Sequence, residues 1–157
     1  RAAASGAVGV VRRDPMAMRP FTGYDMGDYF GHWLEMGKNI PNPPKIFHVN
    51  WFRTDADGHF IWPGFGDNMR VLLWILARCE GKVDARETAI GYVPYAKDIN
   101  IEGLDITEDT VNELLSVDNE AWLADVENIK EFYDMIGGTV PCELREELSA
   151  LKARLSK

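Results

Sequence analysis

The side chains best placed to do chemistry in this sequence lie between Ile46 and Arg70. There the rings of Phe47, Trp51, Phe52, Phe60, Trp62 and Phe65 precede an acid and an amide, Asp67 and Asn68. Aromatic faces beside a side-chain amide suit a flat, hydrogen-bonding heterocycle. Each stacked base in a nucleic-acid site is worth roughly 1–3 kcal/mol, and the amide reads an edge. Guanine fits, because Asn68 would donate to O6 and accept from N1–H, a pair that adenine does not match. An acid at the start of a helix argues against phosphate there, since such a site normally offers bare N–H groups. Asp67 would instead accept from guanine N1–H and N2–H. The same pattern also describes an aromatic hairpin buried in a core, and the residues alone leave both open.

Other chemistry is missing from the sequence. It has no GxxxxGK(S/T) phosphate loop and no HExxH, and His32, His48 and His59 are not at ligand spacing. The four serines have no plausible His and acid partners for nucleophilic catalysis. His48 is expected to be packed or partly exposed. Cys79 and Cys142 form no CxxC pattern, so neither a zinc site nor a disulfide framework is indicated. Both cysteines are expected to be reduced and packed.

The elements that must position these residues follow from the turn chemistry. Thr54 to Gly58 reads TDADG, with the Asp and Gly that a reversal needs. This predicts an antiparallel pair from Ile46 to Arg53 and His59 to Trp62. Pro63-Gly64 stops the second strand, Phe65-Gly66 is a link, and Asp67 is expected to cap a helix from Asn68 to Arg78. The middle of that helix is VLLWIL, apolar nearly all round, which predicts burial on several sides. Gly81 ends it.

Upstream, residues 2–9 read as a loop of small side chains and Val8 to Arg12 as a short strand. Met16 to Phe21 is a connector. Met26, Tyr29, Phe30, Trp33 and Leu34 recur at helical spacing, predicting a helix from Met26 to Met36 capped by Asp25. Asn39 to Pro44, with three prolines, is a linker. Downstream, Thr88 to Pro94 reads as an edge strand or extended segment and Tyr95 to Asp105 as a surface loop. Helices are predicted at 107–115, 118–135 and 142–155, the second with Trp122, Val126, Ile129, Phe132 and Ile136 on one stripe.

The words RRDPMAM, RPFTGYDMGDYF, PPKIFHVNWF, FIWPGFGDN and IGYVP, in this order, resemble the C-terminal part of GTP-dependent phosphoenolpyruvate carboxykinase. The similarity runs over nearly the whole chain and weakens after about Asp105. FxWPGFGxN after a VNWF strand is highly specific to that family. The resemblance implies that Phe52, Phe60 and Phe65 surround the guanine ring of GTP or GDP. It implies that Phe65, Gly66, Asp67 and Asn68 bind the nucleotide, with Asn68 reading the base. The family commonly has Glu where this chain has Asp67. By the same resemblance, residues 1–9 belong to a lid over the active site. A divalent metal, Mn or Mg, would be held by residues outside this segment, and the substrates would be oxaloacetate and phosphoenolpyruvate.

Length and charge bound the rest. The 157 residues suffice for one domain with a core. The chain begins with Arg1 inside the resemblance, which reads as a segment of a longer protein that is a monomer when complete. The expected fold class is α/β (mixed α+β): short strands and an aromatic hairpin followed by packed helices, 106–157 forming the C-terminal helices of a larger nucleotide-binding domain. A formal charge of −8 argues against a nucleic-acid or anionic-membrane surface. No apolar run reaches membrane-spanning length and no signal peptide is visible, which fits a cytoplasmic protein. The rival function is a non-catalytic purine-binding or protein-interaction domain that docks through the aromatic hairpin.

Overall fold

The computed structural model describes residues 15–157. The proposed lid at residues 1–9 and the strand predicted from Val8 to Arg12 lie outside the described residues. The chain divides into two units, one comprising Pro44–Asp118 and the other the residues up to Pro43 together with Asn119–Lys157. Among the described residues there are five α-helices and one two-stranded antiparallel sheet, a mixed and helix-rich architecture.

In the discontinuous unit, two short 3-10 turns, Pro15–Ala17 and Arg19–Phe21, lead to α1 (Met26–Asn39). Asp25 holds the extended backbone of an N-cap, and its Oδ1 accepts from the Gly27 N–H at 2.7 Å. This is the cap expected from sequence, and it satisfies an amide that the first helical turn leaves without a partner. Met26 and Phe30, four residues apart, face inward and meet Phe132 of α4 (Asn119–Ile136). The Phe30 and Phe132 rings pack edge to face at 6.4 Å. The predicted stripe on α4 is present, with Val126 and Phe132 buried.

The chain turns at Gly137 into α5 (Cys142–Leu155), which packs on α4. Arg145 of α5 donates to the carbonyls of Tyr133 and Gly137 at 3.5 and 3.1 Å. A cation is thereby placed where the dipole of α4 favours one. The loop between these helices also reaches the start of α1: Thr139 Oγ1 donates to Asp25 Oδ1 at 2.7 Å. Gly27 is glycine for the same contact, since a Cβ there would lie 2.6 Å from Thr139 Oγ1 and closer still to its carbonyl.

The contiguous unit holds the aromatic segment, α2 (Asn68–Cys79), β1 (Arg86–Thr88), β2 (Gly91–Val93) and α3 (Glu108–Leu114). Its core is Trp62, Trp74, Ala96, Ile99 and Val111, with Phe47, Trp51, Val71 and Ile75 packed against it. The strand pair predicted from Ile46 to Arg53 and His59 to Trp62 is reduced to one bridge, Thr54 with Phe60. Two backbone bonds flank it, Asp55 N–H to His59 O and Ile61 N–H to Arg53 O. The turn therefore forms as expected. A ladder needs a second row of backbone groups, and residues 43–50 are paired to none among the described residues.

Three further expectations are corrected. The segment Thr88–Pro94, expected as one edge strand or extended segment, instead holds the end of β1, a turn and β2, with Arg86 facing Val93 and Thr88 facing Gly91. The turn at Ala89-Ile90 was masked by its apolar residues. Tyr95 to Asp105 is not simply surface, because Ala96 and Ile99 enter the core through a 3-10 turn at Ala96–Asp98. Finally, α2 buries Trp74 alone, while Met69, Leu72, Leu73 and Leu76 are exposed. An all-apolar helix can bury only as many faces as it has neighbours, and here its neighbours cover one.

The helix starting at Thr107 is confirmed, with Thr107 and Thr110 capping each other. Both cysteines are free and exposed, not packed, and His48 is exposed. No helix among the described residues is long and apolar enough to cross a membrane.

Candidate functional site

The six rings divide into two sets. Phe47, Trp51 and Trp62 belong to the core, and Phe47 meets Trp74 edge to face at 6.3 Å. Phe52, Phe60 and Phe65 stand outside it, 70%, 65% and 92% exposed. The expectation of an aromatic core holds for the first three rings, and the other three are left exposed. The split falls at a bend: the Phe52 amide donates to Asn50 Oδ1 at 3.0 Å, and while Trp51 packs on the core its neighbour Phe52 stands exposed. The Thr54–Phe60 bridge then brings Phe60 beside Phe52, with ring centroids 5.9 Å apart and planes tilted by 59°. Phe65 makes no ring contact with either among the described residues. Side chains this large and apolar gain free energy by losing water, and no side chain of this unit covers them.

Asp55 holds the turn that makes the pair. Its Oδ1 accepts from the amides of Asp57 and His59, both at 2.9 Å, and its Oδ2 lies 3.5 Å from His59 Nδ1. The His59 amide, and after it Asp57, hold the Asp55 carboxyl below its ordinary pKa. Asp55, Asp57 and His59 bring three ligand-type atoms within 4.8 Å of one another. The Asp55 carboxylate is already spent on backbone amides, so the cluster is accounted for as a turn.

The second half of the site is the entry to α2. Gly64 has φ 126°, a conformation that a side chain resists, and it launches a 3-10 turn at Phe65–Asp67 that runs directly into the helix. Gly66 is exposed, and a Cβ there would meet nothing within 4 Å among the described residues, none of which requires glycine at this position. Asp67 sits at the N-cap position, but its side chain caps nothing. The 3-10 turn leaves it at φ −104° and ψ 0°, whereas a capping side chain needs the extended backbone seen at Asp25. Its Oδ1 instead accepts from Arg70 Nε at 3.0 Å. Arg70 also donates to the carbonyls of Asn100 at 2.9 Å and Glu102 at 3.0 Å. The helix start is thereby tied to the loop that carries Ile99 into the core.

Asn68 is the first residue of α2 and is half-buried. Its Oδ1 accepts from the indole N–H of Trp62 at 2.9 Å. Its Nδ2 has no partner among the described residues. Trp62 and Arg70 were not singled out from sequence as partners in the site. The Asp67–Arg70 pair was legible, being an i,i+3 match on a helix surface. The Trp62–Asn68 bond spans a proline, a positive-φ glycine and a 3-10 turn, and no periodicity announces it.

The family model described as phosphoenolpyruvate carboxykinase C-terminal P-loop domain matches residues 1–154. The chain belongs to the GTP-dependent phosphoenolpyruvate carboxykinase family. The Renibacterium salmoninarum protein named phosphoenolpyruvate carboxykinase [GTP] is 56% identical over 156 residues, which is 98% of this chain and 26% of that protein. Proteins of the same name from Paenarthrobacter aurescens and Anaeromyxobacter dehalogenans are 54% and 49% identical, each again over 98% of this chain and 26% of their own length. The chain thus spans about a quarter of the length of these relatives. Membership rests on the whole matched length, including α4 and α5, where the quoted words of sequence resemblance had run out.

Proposed function

We propose that this segment forms the guanine-binding part of an enzyme that interconverts oxaloacetate and GTP with phosphoenolpyruvate, carbon dioxide and GDP. The observation that carries it is the pairing of three exposed rings, Phe52, Phe60 and Phe65, with an amide at the start of α2 whose Nδ2 is free to donate. The rings would take the two faces and an edge of the base, and Asn68 would donate to O6. Gly66 would let the ligand approach the backbone closely. Asp67 is held by Arg70 through one oxygen, so its remaining oxygen is the part available to guanine N1–H and N2–H.

In this reading the residues of the segment bind and orient. They desolvate the base and hold the nucleotide in one register, so that its terminal phosphoryl group is delivered to the same place each turnover. A divalent metal, when bound, neutralises charge on the phosphates. Among the described residues the only group of three ligand-type side chains is the Asp55 turn, already occupied by backbone amides. Metal ligands, phosphate contacts and the groups that bind oxaloacetate are therefore assigned to the part of the enzyme outside this segment. The complete enzyme is expected to be a cytoplasmic monomer.

Calorimetric titration of the full-length protein with GDP and ADP tests the reading, with Asn68→Ala and Phe65→Ala beside it. GDP is expected to bind more tightly than ADP. Phe65→Ala should weaken both nucleotides by roughly 1–3 kcal/mol, the worth of a stacking ring. Asn68→Ala should erase the preference for guanine. If Asn68→Ala leaves the GDP to ADP ratio intact and Phe65→Ala changes neither affinity, the rings are a docking surface for another macromolecule and the guanine assignment is wrong.

A further inference from the structure

Two tryptophans belong to the core of the contiguous unit, and they differ in one respect. Trp62 and Trp74 are 7% and 6% exposed and share the same cluster. The Trp74 indole N–H is buried without a hydrogen-bond partner among the described residues, whereas that of Trp62 donates to Asn68 Oδ1 at 2.9 Å. An indole nitrogen only donates. Whatever faces it must be an acceptor, so the bond admits one orientation of the Asn68 amide: oxygen toward Trp62, amine away from it.

We propose that Trp62 is a positioning residue, which holds the Asn68 carboxamide by its oxygen and so fixes the amine as the group that selects purines carrying an oxo group at C6. This rests on the guanine assignment above and adds to it the direction of the hydrogen bond. Left free, a carboxamide flips at little cost and offers a donor to an oxo group or an acceptor to an amino group with similar ease. Such an amide would tolerate adenine, whose C6 carries an amine in place of the oxygen. Trp62 suits the holding role because its ring is locked in a packed core. Asn68 is fixed from behind as the first residue of α2, which Arg70 ties down two residues later. A site that reads a base needs such support behind the reading group.

The test uses the full-length protein and three nucleotides: GDP and IDP, which share the C6 oxo group, and ADP, which lacks it. In the unaltered protein GDP and IDP should both bind more tightly than ADP. Trp62→Phe keeps a ring in the core but removes the donor. It is expected to weaken GDP and IDP by about tenfold relative to ADP, the effect of one hydrogen bond. Trp74→Phe is the control for loosening of the core. It removes an indole from the same cluster without removing a hydrogen bond, and should leave the ratios where they were. In an Asn68→Ala background, Trp62→Phe should produce no further change in the ratios.

The proposal is overturned if Trp62→Phe weakens all three nucleotides equally, or if it keeps the full preference while Asn68→Ala loses it. Under either result the guanine assignment stands. If Asn68→Ala itself preserves the preference, Asn68 does not read the base and the proposal falls; the guanine assignment falls with it when Phe65→Ala also changes neither affinity. Should Trp62→Phe not fold, benzothienylalanine placed at position 62 exchanges the N–H for sulfur with the bicyclic shape kept, and the same ratios decide.

Discussion

At the scale of single residues, what distinguishes the site is how few side chains are free. Asp67 reads from sequence as a helix cap and is in fact one end of a fan of bonds centred on Arg70, whose guanidinium meets Asp67 and the carbonyls of Asn100 and Glu102. Bonds from a charged donor are worth about 1.5–3 kcal/mol each, and the planar fork is what lets one side chain reach three acceptors. Arg70→Met, which keeps the length and loses the donors, should destabilise the contiguous unit by about 2 kcal/mol or more. It should also weaken GDP binding without touching the base. Arg70→Lys should recover little of either, since a point charge does not reproduce the fork. Thermal unfolding and calorimetry on the same variants check this, and a silent Arg70→Met would show that the fan is dispensable. Residue types were legible here: FIWPGFGDN announced rings, a glycine turn and an amide. Which atom faces which was not, because Trp62 and Asn68 are brought together by a backbone path that only the folded chain draws.

Helices were the elements that sequence placed best. Each of the five has an expected counterpart, and those at α1, α4 and α5 rest on apolar residues recurring at three and four. Extended segments fared worse, because a strand is defined by its partner. Ile46 to Arg53 has the composition of a strand and pairs through a single neighbouring bridge, while Ala89-Ile90 looks like strand interior and is a turn. The junction of α1 with the loop after α4 is a place where titration should be visible. Thr139 Oγ1 and then the Gly27 amide hold the Asp25 carboxyl below its ordinary value of 3.8. A carboxylate whose folded pKa is depressed adds stability above its unfolded pKa and loses it as pH falls through the folded one. The melting temperature should therefore separate wild type from Asp25→Ala at neutral pH, and the gap should narrow below about pH 4. A gap that stays constant down to pH 2.5 would mean that the charge of Asp25 adds nothing to its geometry as a cap.

At the scale of the molecule, the exposed face of α2 sets behaviour in solution. Leu73 and Leu76 are 57% and 56% exposed, and Met69 and Leu72 lie on the same helix beside them. Contiguous apolar surface of this kind drives association. The 157-residue chain by itself is expected to scatter light increasingly with concentration, and Leu73→Lys with Leu76→Lys should raise its monomer fraction severalfold in sedimentation. A wild-type chain that sediments as a clean monomer would contradict this. The sequence marked α2 as apolar all round, and what it could not state is how many neighbours the helix has.

The division into a contiguous and a discontinuous unit also bears on the order in which the chain comes off the ribosome. Asp25 and Thr139 touch at a sequence separation of 114, and Phe30 meets Phe132 from 102 positions away. At a synthesis rate of about 5–20 residues per second, α1 spends on the order of 10 seconds with its apolar stripe bare. In that interval residues 44–118 emerge whole and can close around Trp62 and Trp74 using only one another. The contiguous unit is thus complete before its neighbour, and α1 is the segment of these two units most in need of a chaperone.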